Sequence, residues 1–435
     1  MTARHRQPMA MGQAVAAVRP SDSLGIPLGP GQPGGFLHAL GEREDWEELT
    51  VFGALLGDLY AVFTRPNVRY LSGFFGPAER FLRDSGANVE FIPADFRRFI
   101  PVAERLAPRV VATVAAPPDE HGNLSLSLHA GATVGVLHEA GADPDRLLVV
   151  EINPNCPRTF GLPPSHWHAI HLDEVDLLVE SDRALLTIEE APPTGIETTI
   201  AEYALEFVAE GSTLQTGIGG IPSMVVSLLA ARGGGDYGVH SEMFTTGLME
   251  LHRAGKVTNR RKGEFVGYSV TTFAAGTPEL YTWLDGNDAV RFLPVDIVNS
   301  PHLIAANHAM VTINGALAVD LWGQAAADSM HGRQFSGIGG HEDFVAASTY
   351  ELEDRSLLCL PSTAVMAGET VSRICDALPP GATVTTPRHQ LDVVITEYGI
   401  AELRGRTVRE RALALVEIAH PDFRAALLAA ASCLG

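Results

Sequence analysis

The sequence predicts an α/β protein made of two similar open α/β domains with mostly parallel sheets. Short apolar runs typical of buried strands alternate with amphipathic stretches of helical period, and this alternation favours parallel sheets covered by helices. A segment at residues 182–195 that carries "APPTG" interrupts the pattern and has the composition of a linker. We therefore predict an N-terminal domain over residues 1–190 and a C-terminal domain over residues 191–435.

The first 40 residues are rich in Pro and Gly, and within them "SLGIPLG" predicts a strand and "GFLHAL" the start of a helix. Four further apolar runs of the N-terminal domain predict strands, at residues 58–64, 109–116, 146–153 and 175–181. Two segments between them have a helical pattern, at residues 98–106 and 132–142.

The C-terminal domain is predicted to begin with a helix, "IETTIAEYALEFV", in which Ile196, Ile200, Tyr203 and Phe207 form one stripe. The next elements are predicted to be the strand "STLQTG", the helix "IPSMVVSLLAA", the strand "DYGVHSE" and the helix "MFTTGLMELHRAG". Later strands are predicted at residues 295–299, 308–315, 356–361 and 392–399. The last helix is predicted around "RERALALVEIA", ending near "HPDFR".

Composition excludes several classes of protein. With 435 residues, 46% apolar and 19% charged, the chain is long enough for two domains and globular rather than disordered. It has no apolar run of membrane-spanning length, and no signal-peptide core in "MTARHRQPMAMGQAV". We therefore expect a cytoplasmic protein that does not bind membranes. The net charge of −21 makes nucleic acid a poor partner, although a small anionic ligand stays compatible with it.

Neither the cysteines nor the histidines predict a metal site. The four cysteines, Cys156, Cys359, Cys375 and Cys433, are scattered without a C-x-x-C pair, so reduced thiols are expected. His166 and His168 in "SHWHAIH" would share one face of a strand, but no third ligand or acidic partner accompanies them. A polar strand edge or loop is the favoured interpretation there, and no metal is expected.

Two glycine-rich turns are candidate binding sites. In "LQTGIGGIPS" (214–223), a predicted strand leads through glycines into a helix, which offers unpaired N–H groups to an anion or oxyanion. The spacing matches neither the dinucleotide fingerprint nor a P-loop, so a tight turn without a ligand is an equal alternative. "FSGIGGHEDF" (335–344) is a second turn of this kind, and convergent backbone donors are what acyl transfer requires.

Glu242 is the candidate reactive side chain. In "YGVHSEMFTTG" it is predicted at the carboxyl end of a strand, where open α/β sheets bind ligands. A carboxylate there is a covalent nucleophile, a general base, or a helix N-cap or first-turn acid at the start of the next helix. Glu397 in "ITEYGIAELRG" also follows an apolar strand and is a rival. The absence of a G-x-S-x-G elbow argues against a serine hydrolase of the common α/β type.

Several of these motifs together resemble the acetyl-CoA hydrolase/transferase family, especially its 4-hydroxybutyrate CoA-transferase branch. They are "LQTGIGGIP", "GVHSEM", "INGALAVDLWGQ", "FSGIGGHEDF" and "TEYGIAELRGRTVRERALALVEIAHPDFR", in the family's order over residues 214–425. The segment "AAPPDEHGNLSLS" and the Pro/Gly-rich start fit the family's N-terminal domain more weakly.

The resemblance implies two similar α/β domains with the active site in the cleft between them. It implies that Glu242 is the nucleophile, that Glu397 is structural, and that the backbone near Ile218 and Gly340 forms the oxyanion hole. The resemblance also assigns CoA contacts, to Gly217, Ile218, Gly219, Gly220, Ile221, Leu317 and Gly340.

The expected function is therefore a CoA-transferase that moves CoA between short-chain acids of the 4-hydroxybutyrate/acetate type. The implied mechanism is ping-pong, through a glutamyl-CoA thioester, with CoA as a substrate and no permanently bound cofactor. The expected partners are acyl-CoA and small carboxylic acids, and a homodimer is left open. The alternatives are an acyl-CoA hydrolase that uses the same glutamate and a non-catalytic acyl-CoA-binding or regulatory protein. The intact Glu242 and the two glycine turns argue against the last.

Overall fold

The computed structural model describes residues 7–189, 191–330, 332–348, 351–366 and 368–434. It is a mixed α/β structure with mostly parallel sheets, as predicted. The chain forms two compact units, Met1–Ile188 with Val270–Val298 and Glu189–Ser269 with Asn299–Gly435. The domain division at residue 190 stays a prediction; by contacts, the segment Val270–Val298 packs with the first unit.

The first unit is built on a seven-stranded parallel sheet. Its strands are β1 Ser21–Leu28, β2 Glu48–Ala54, β3 Val68–Ser72, β4 Val89–Phe91, β5 Val110–Ala115, β6 Leu147–Ile152 and β7 Leu177–Glu180. Their order is β4-β3-β2-β1-β5-β6-β7. Its helices are Met11–Ala16, Gly34–Gly41, Pro77–Asp84, Phe99–Leu106, Val134–Ala142, Pro278–Leu284 and Val295–Val298. All six residues of β5 are buried, as expected for a strand that helices cover on both faces.

The second unit is built on a six-stranded sheet. Its strands are β8 Thr213–Thr216, β9 Gly238–Val239, β10 Met310–Gly315, β11 Arg355–Cys359, β12 Val393–Thr396 and β13 Gly399–Glu402. The order is β9-β8-β10-β11-β12-β13, and only β13 is antiparallel to its neighbour. Its helices are Gly195–Ala204, Gly220–Ala231, Thr246–Arg253, Pro301–Ala305, His341–Ala347, Val408–Glu417 and Pro421–Ala431.

The strand order of the second unit reverses between β8 and β10. From β8 the chain continues to the edge strand β9, and it returns to β10 on the other side of β8. In open parallel sheets, the carboxyl ends of the strands at such a reversal border a crevice that binds ligands. The turn that begins at Gly217 follows β8, and Leu317 follows β10. The fold therefore places both segments at the reversal point of this sheet.

Three element predictions were wrong. Residues 58–64 contain a short 3₁₀ helix, Ala61–Thr64, rather than a strand. Residues 295–299 form the helix Val295–Val298, because Val295 and Val298 are buried three residues apart, a helical spacing rather than a strand spacing. "HPDFR" does not end the last helix. It starts another, Pro421–Ala431, whose N-cap His420 accepts a hydrogen bond from the Asp422 N–H.

A buried polar cluster in the first unit contains His129 and His168. The His168 ring stacks on Phe292 with centroids 5.1 Å apart, and its Nε2 donates to the Ser127 carbonyl at 2.9 Å. Burial lowers the pKa of His129 to about 3 and that of His168 to about 4. His168 is thus a core histidine beside the strand Ala169–His171. Within the described ranges, no group of three or more His, Cys, Asp or Glu residues could hold a metal ion.

No helix among the residues described is long and apolar enough to cross a membrane. Residues 1–6, part of the segment considered above for a secretion signal, lie outside the described residues.

We expect the first unit to lose stability as the pH falls below about 6.5, the ordinary histidine pKa. Because His129 stays neutral in the fold, its contribution is complete above that pH and is lost as the unfolded chain takes up the proton. Between about pH 7.5 and about pH 5 the thermal midpoint of the wild type should fall further than that of His129→Gln. Equal decreases in the thermal midpoints of the two proteins would contradict the conclusion that the buried His129 imidazole is neutral.

Candidate active site

Glu242 lies in a bend between β9 and the short strand Met243–Phe244. The preceding Ser241 is buried, and its Oγ lies 3.1 Å from the Thr216 carbonyl oxygen and 2.8 Å from that of Met243. These contacts tie the bend to the end of β8. Glu242 does not cap the next helix, because Thr245 is the N-cap and accepts from the Leu248 N–H. Glu242 is therefore a residue of a fixed loop and does not belong to the N-terminus of the next helix.

The Glu242 carboxyl is half-buried, accepts a hydrogen bond from a buried amide and feels the charge of a second carboxylate. Asn299 Nδ2 donates to Glu242 Oε2 at 2.6 Å and to Asp343 Oδ2 at 3.0 Å. Burial raises the pKa of Glu242 to about 8; the Asn299 hydrogen bond opposes this increase, and the charge of Asp343 adds to it. The group is thus mainly protonated at neutral pH, and its carboxylate form is unusually basic.

Gly340 is in direct contact with this carboxyl group. A Cβ added to Gly340 would lie 2.0 Å from Glu242 Oε2 and 2.4 Å from Asn299 Nδ2, distances that no side chain tolerates. Its φ is −90°, so glycine is needed here for close approach rather than for backbone freedom. The left-handed conformation of this turn falls on Gly339, with φ 57°. Gly340 immediately precedes the helix His341–Ala347, which carries Asp343.

The turn after β8 contains the other predicted glycines. Gly219 has φ 120° and precedes the helix Gly220–Ala231, while a Cβ on Gly217 would meet open space. The Gly220 Cβ position lies against the Glu197 carboxylate. Ile218 is 48% exposed, whereas Ile221 is buried in the apolar core of the unit. The side chain of Ile221 therefore faces the core, and only its backbone is left for a ligand.

Leu317 follows β10 and lines a cavity of the unit. Its N–H donates to the Ala326 carbonyl at 2.8 Å, and the residue borders a cavity of about 550 Å³. Of the predicted site residues, the structure thus brings Glu242 and Gly340 into contact and ties the bend of Glu242 to the turn at Gly217. The assignments of Ile218 and Gly340 to an oxyanion hole, and of this set to CoA, stay predictions.

Sequence reasoning missed Asn299 and Asp343. Asn299 ended a segment that was predicted as a strand, and nothing in its neighbourhood marks it as functional. Asp343 lies three residues after Gly340 in the quoted "FSGIGGHEDF", where its position in the first turn of a helix was a usable signal. The rival Glu397 is in the turn between β12 and β13, and its two oxygens accept from the N–H and Oγ of Ser362.

Comparison with known proteins identifies the family. The family model described as the acetyl-CoA hydrolase/transferase C-terminal domain matches residues 276–431. A succinyl-CoA:cyclohexane-1-carboxylate CoA transferase of Geobacter metallireducens is 38% identical over 423 residues, which cover 96% of this chain and 93% of that protein. The chain belongs to the acetyl-CoA hydrolase/transferase family. It is an enzyme of the CoA-transferase type within that family.

Two further relatives and one solved structure extend the comparison. A 4-hydroxybutyrate coenzyme A transferase of Clostridium kluyveri is 38% identical over 362 residues, 83% of this chain and 81% of that protein. The crystal structure of RipA from Yersinia pestis superimposes with a TM-score of 0.89 at 33% identity, over 98% of this chain and 97% of that one. A more distant match, 25% identical over 74% of this chain and 65% of that protein, is named acetyl-CoA hydrolase in Neurospora crassa.

Replacing Gly340 by alanine tests the contact with Glu242. The added methyl group displaces the carboxyl from Asn299, so we expect Gly340→Ala to lower kcat on the order of 10²-fold or more while the protein stays folded. Gly135→Ala is the matched control, because a Cβ there meets open space in the helix Val134–Ala142 of the first unit. A folded Gly340→Ala enzyme with the kcat of the control would show that catalysis does not depend on the contact between Gly340 and Glu242.

A second variant tests the raised pKa of Glu242. A carboxyl that ionises near pH 8 in the fold but near pH 4.5 in the unfolded chain stabilises the protein fully only below about pH 4.5. That stability is lost as the pH rises toward 8. Glu242→Gln does not titrate, so its free energy of unfolding should rise relative to that of the wild type from pH 5 to pH 8, by up to a few kcal/mol at about 1.4 kcal/mol per pKa unit. A stability difference between the two proteins that does not vary with pH would contradict the raised pKa of Glu242.

Proposed function

We propose that the enzyme transfers CoA between short-chain carboxylic acids by a ping-pong mechanism in which Glu242 is the nucleophile. The observation that carries the proposal is the contact of the half-buried Glu242 carboxyl with Asn299 and with the bare backbone of Gly340. A carboxylate in a site of low polarity, with its orientation fixed by one amide, is suited to attack a thioester.

Each half-reaction balances without metal or ATP. The Glu242 carboxylate attacks the thioester carbonyl, and collapse of the tetrahedral adduct breaks the C–S bond to give a mixed anhydride and CoA thiolate. The thiolate then attacks the glutamyl carbonyl and expels the first acid as its carboxylate, which leaves a glutamyl-CoA thioester. A second acid reverses both steps and departs as its CoA ester. We assign the oxyanion hole to the backbone N–H groups of Ile218 and Gly340, which must hold the negative oxygen of each adduct.

The basicity of Glu242 supports this role. With a pKa of about 8, about a tenth of the carboxyl is ionised at pH 7. The ionised fraction is small, but its high basicity increases nucleophilicity toward the thioester carbonyl. The same surroundings disfavour water, which would otherwise hydrolyse the anhydride or the thioester. Asn299 orients the carboxyl, and Asp343 in turn accepts from Asn299 and fixes the amide.

The proposed CoA contacts are Gly217–Ile221, Leu317 and Gly340, and the proposed substrates are acyl-CoA and small acids of the 4-hydroxybutyrate/acetate type, in the cytoplasm. Support for these substrates comes from the relative named 4-hydroxybutyrate coenzyme A transferase. The alternative is an acyl-CoA hydrolase that uses the same Glu242, with water ending the cycle. That alternative is favoured by the match to a protein named acetyl-CoA hydrolase.

Trapping the covalent intermediate tests the proposal. Incubation with acetyl-CoA and no acceptor acid should leave CoA attached to Glu242, because the second half-reaction lacks its substrate. Borohydride reduces the thioester to an alcohol, and peptide mass analysis should locate that change within "GVHSEMFTTG". Glu242→Ala should show neither label nor transfer. Glu250→Gln, which alters an exposed glutamate of the following helix, should keep both.

The same samples separate the alternatives. Transfer needs an added acid, so release of free CoA should stay low without one and acyl exchange should begin when acetate, butyrate or 4-hydroxybutyrate is supplied. Steady release of CoA without any acid would favour the hydrolase. An active enzyme that carries the label on Glu397, or on no residue, would overturn the role given to Glu242.

A further inference from the structure

His240 lies two residues before Glu242 and is completely buried. Its ring contacts two aromatic rings, with centroids 6.1 Å from that of Phe265 and 6.3 Å from that of Phe344. Phe344 belongs to the helix His341–Ala347, which follows the glycine turn of the site. The His240 ring therefore connects the bend of Glu242 to that helix.

Asn307 determines which nitrogen of His240 carries the proton. Asn307 is buried, and its Nδ2 donates to His240 Nδ1 at 3.1 Å and to the Leu303 carbonyl at 2.9 Å. Its Oδ1 accepts from the Glu264 N–H at 3.5 Å. These partners fix the orientation of the amide, so His240 Nδ1 must accept and the proton is on Nε2. The ring is therefore neutral and held in one orientation.

The residue before His240 is held from the open side of the sheet. β9 is an edge strand, but the Val239 N–H donates to Asn259 Oδ1 at 2.9 Å, and the Val239 carbonyl accepts from Lys262 Nζ at 2.8 Å. Both side chains belong to one loop, which also carries Phe265 with φ 52°. Left-handed backbone is unfavourable for an aromatic residue and persists only where the surrounding contacts impose it. The loop therefore supports β9 and places the Phe265 ring against His240.

We propose that His240 is a positioning residue for Glu242. Its ring fixes the bend against the helix His341–Ala347, so that the carboxyl meets Gly340 and Asn299 in one geometry. Only one residue separates the histidine from the glutamate, so a shift of the ring displaces the carboxyl. A displacement of about 1 Å at a reacting group costs on the order of 10²-fold in rate. This inference rests on the proposed function, because it takes Glu242 as the nucleophile.

His240→Phe tests the proposal, because it keeps an aromatic ring and removes the acceptor of the Asn307 amide. We expect kcat to fall by about tenfold to a hundredfold and the KM for acetyl-CoA to change by less than about threefold, since only the carboxyl is displaced. The displaced carboxyl loses part of its burial. Its titration midpoint, followed by infrared difference spectroscopy, should therefore move from about pH 8 toward 4.5 by about one pH unit or more. If His240→Phe does not fold, Asn307→Leu removes the same hydrogen bond from its other partner and should give the same changes.

His420→Phe is the matched control in the same unit. His420 Nδ1 also accepts one hydrogen bond, from the Asp422 N–H at 3.3 Å. Its ring also packs against two aromatic rings, with centroids 5.5 Å from that of Tyr398 and 6.0 Å from that of Phe423. The substitution therefore removes equivalent contacts at the start of the last helix. It should leave both kcat and the titration midpoint of Glu242 as they are in the wild type.

The outcomes separate this proposal from the proposed function. A folded His240→Phe enzyme with the kcat of the control overturns the positioning role. So does a folded His240→Phe enzyme in which Glu242 titrates as in the wild type. A wild type that transfers no CoA contradicts the proposed function alone, and the midpoint of Glu242 in His240→Phe then still decides the positioning role.

Discussion

The close approach of the Gly340 backbone to the Glu242 carboxyl is the constraint on which the rest of the site depends. A 2.0 Å separation between a virtual Cβ and Oε2 leaves space for hydrogen and nothing larger. This approach brings the start of the helix His341–Ala347, and with it Asp343, close to the glutamate. Asn299 fits between the two carboxylates and donates to both. Removal of water from this group gives Glu242 its basicity, since desolvation by burial is the main cause of the raised pKa.

Sheet topology determines which loops leave neighbouring strand ends. In the second unit, the strand order reverses between β8 and β10, so the turn at Gly217 and the segment at Leu317 leave neighbouring strand ends. The bend of Glu242 joins them because β9 pairs with β8 and the Ser241 hydroxyl contacts the carbonyl at the end of β8. The parallel sheet thus supplies a rigid support for the bend that carries Glu242 and for the turn at Gly217.

The sequence predicted the parallel α/β class and the position of Glu242 after a strand, because buried strands and glycine turns leave strong local patterns. Asn299 could not be predicted in this way. It lies 57 residues from Glu242 in the chain, and its segment was assigned to a strand from apolar content alone, although the buried valines before it have a helical spacing. The capping alternative for Glu242 failed because Thr245, three residues later, performs that task.

The protonation state of Glu242 is the central claim of this account, and infrared difference spectroscopy measures it most directly. Spectra of the ligand-free wild type minus Glu242→Gln, recorded from about pH 4 to about pH 10, isolate the C=O band of the protonated carboxyl and the band of the carboxylate. The account predicts conversion of one band into the other with a midpoint at about pH 8. A midpoint near 4.5, the ordinary value for glutamate, would contradict it, because burial against Asn299 and Gly340 and the charge of Asp343 would then leave the carboxyl as acidic as one in water.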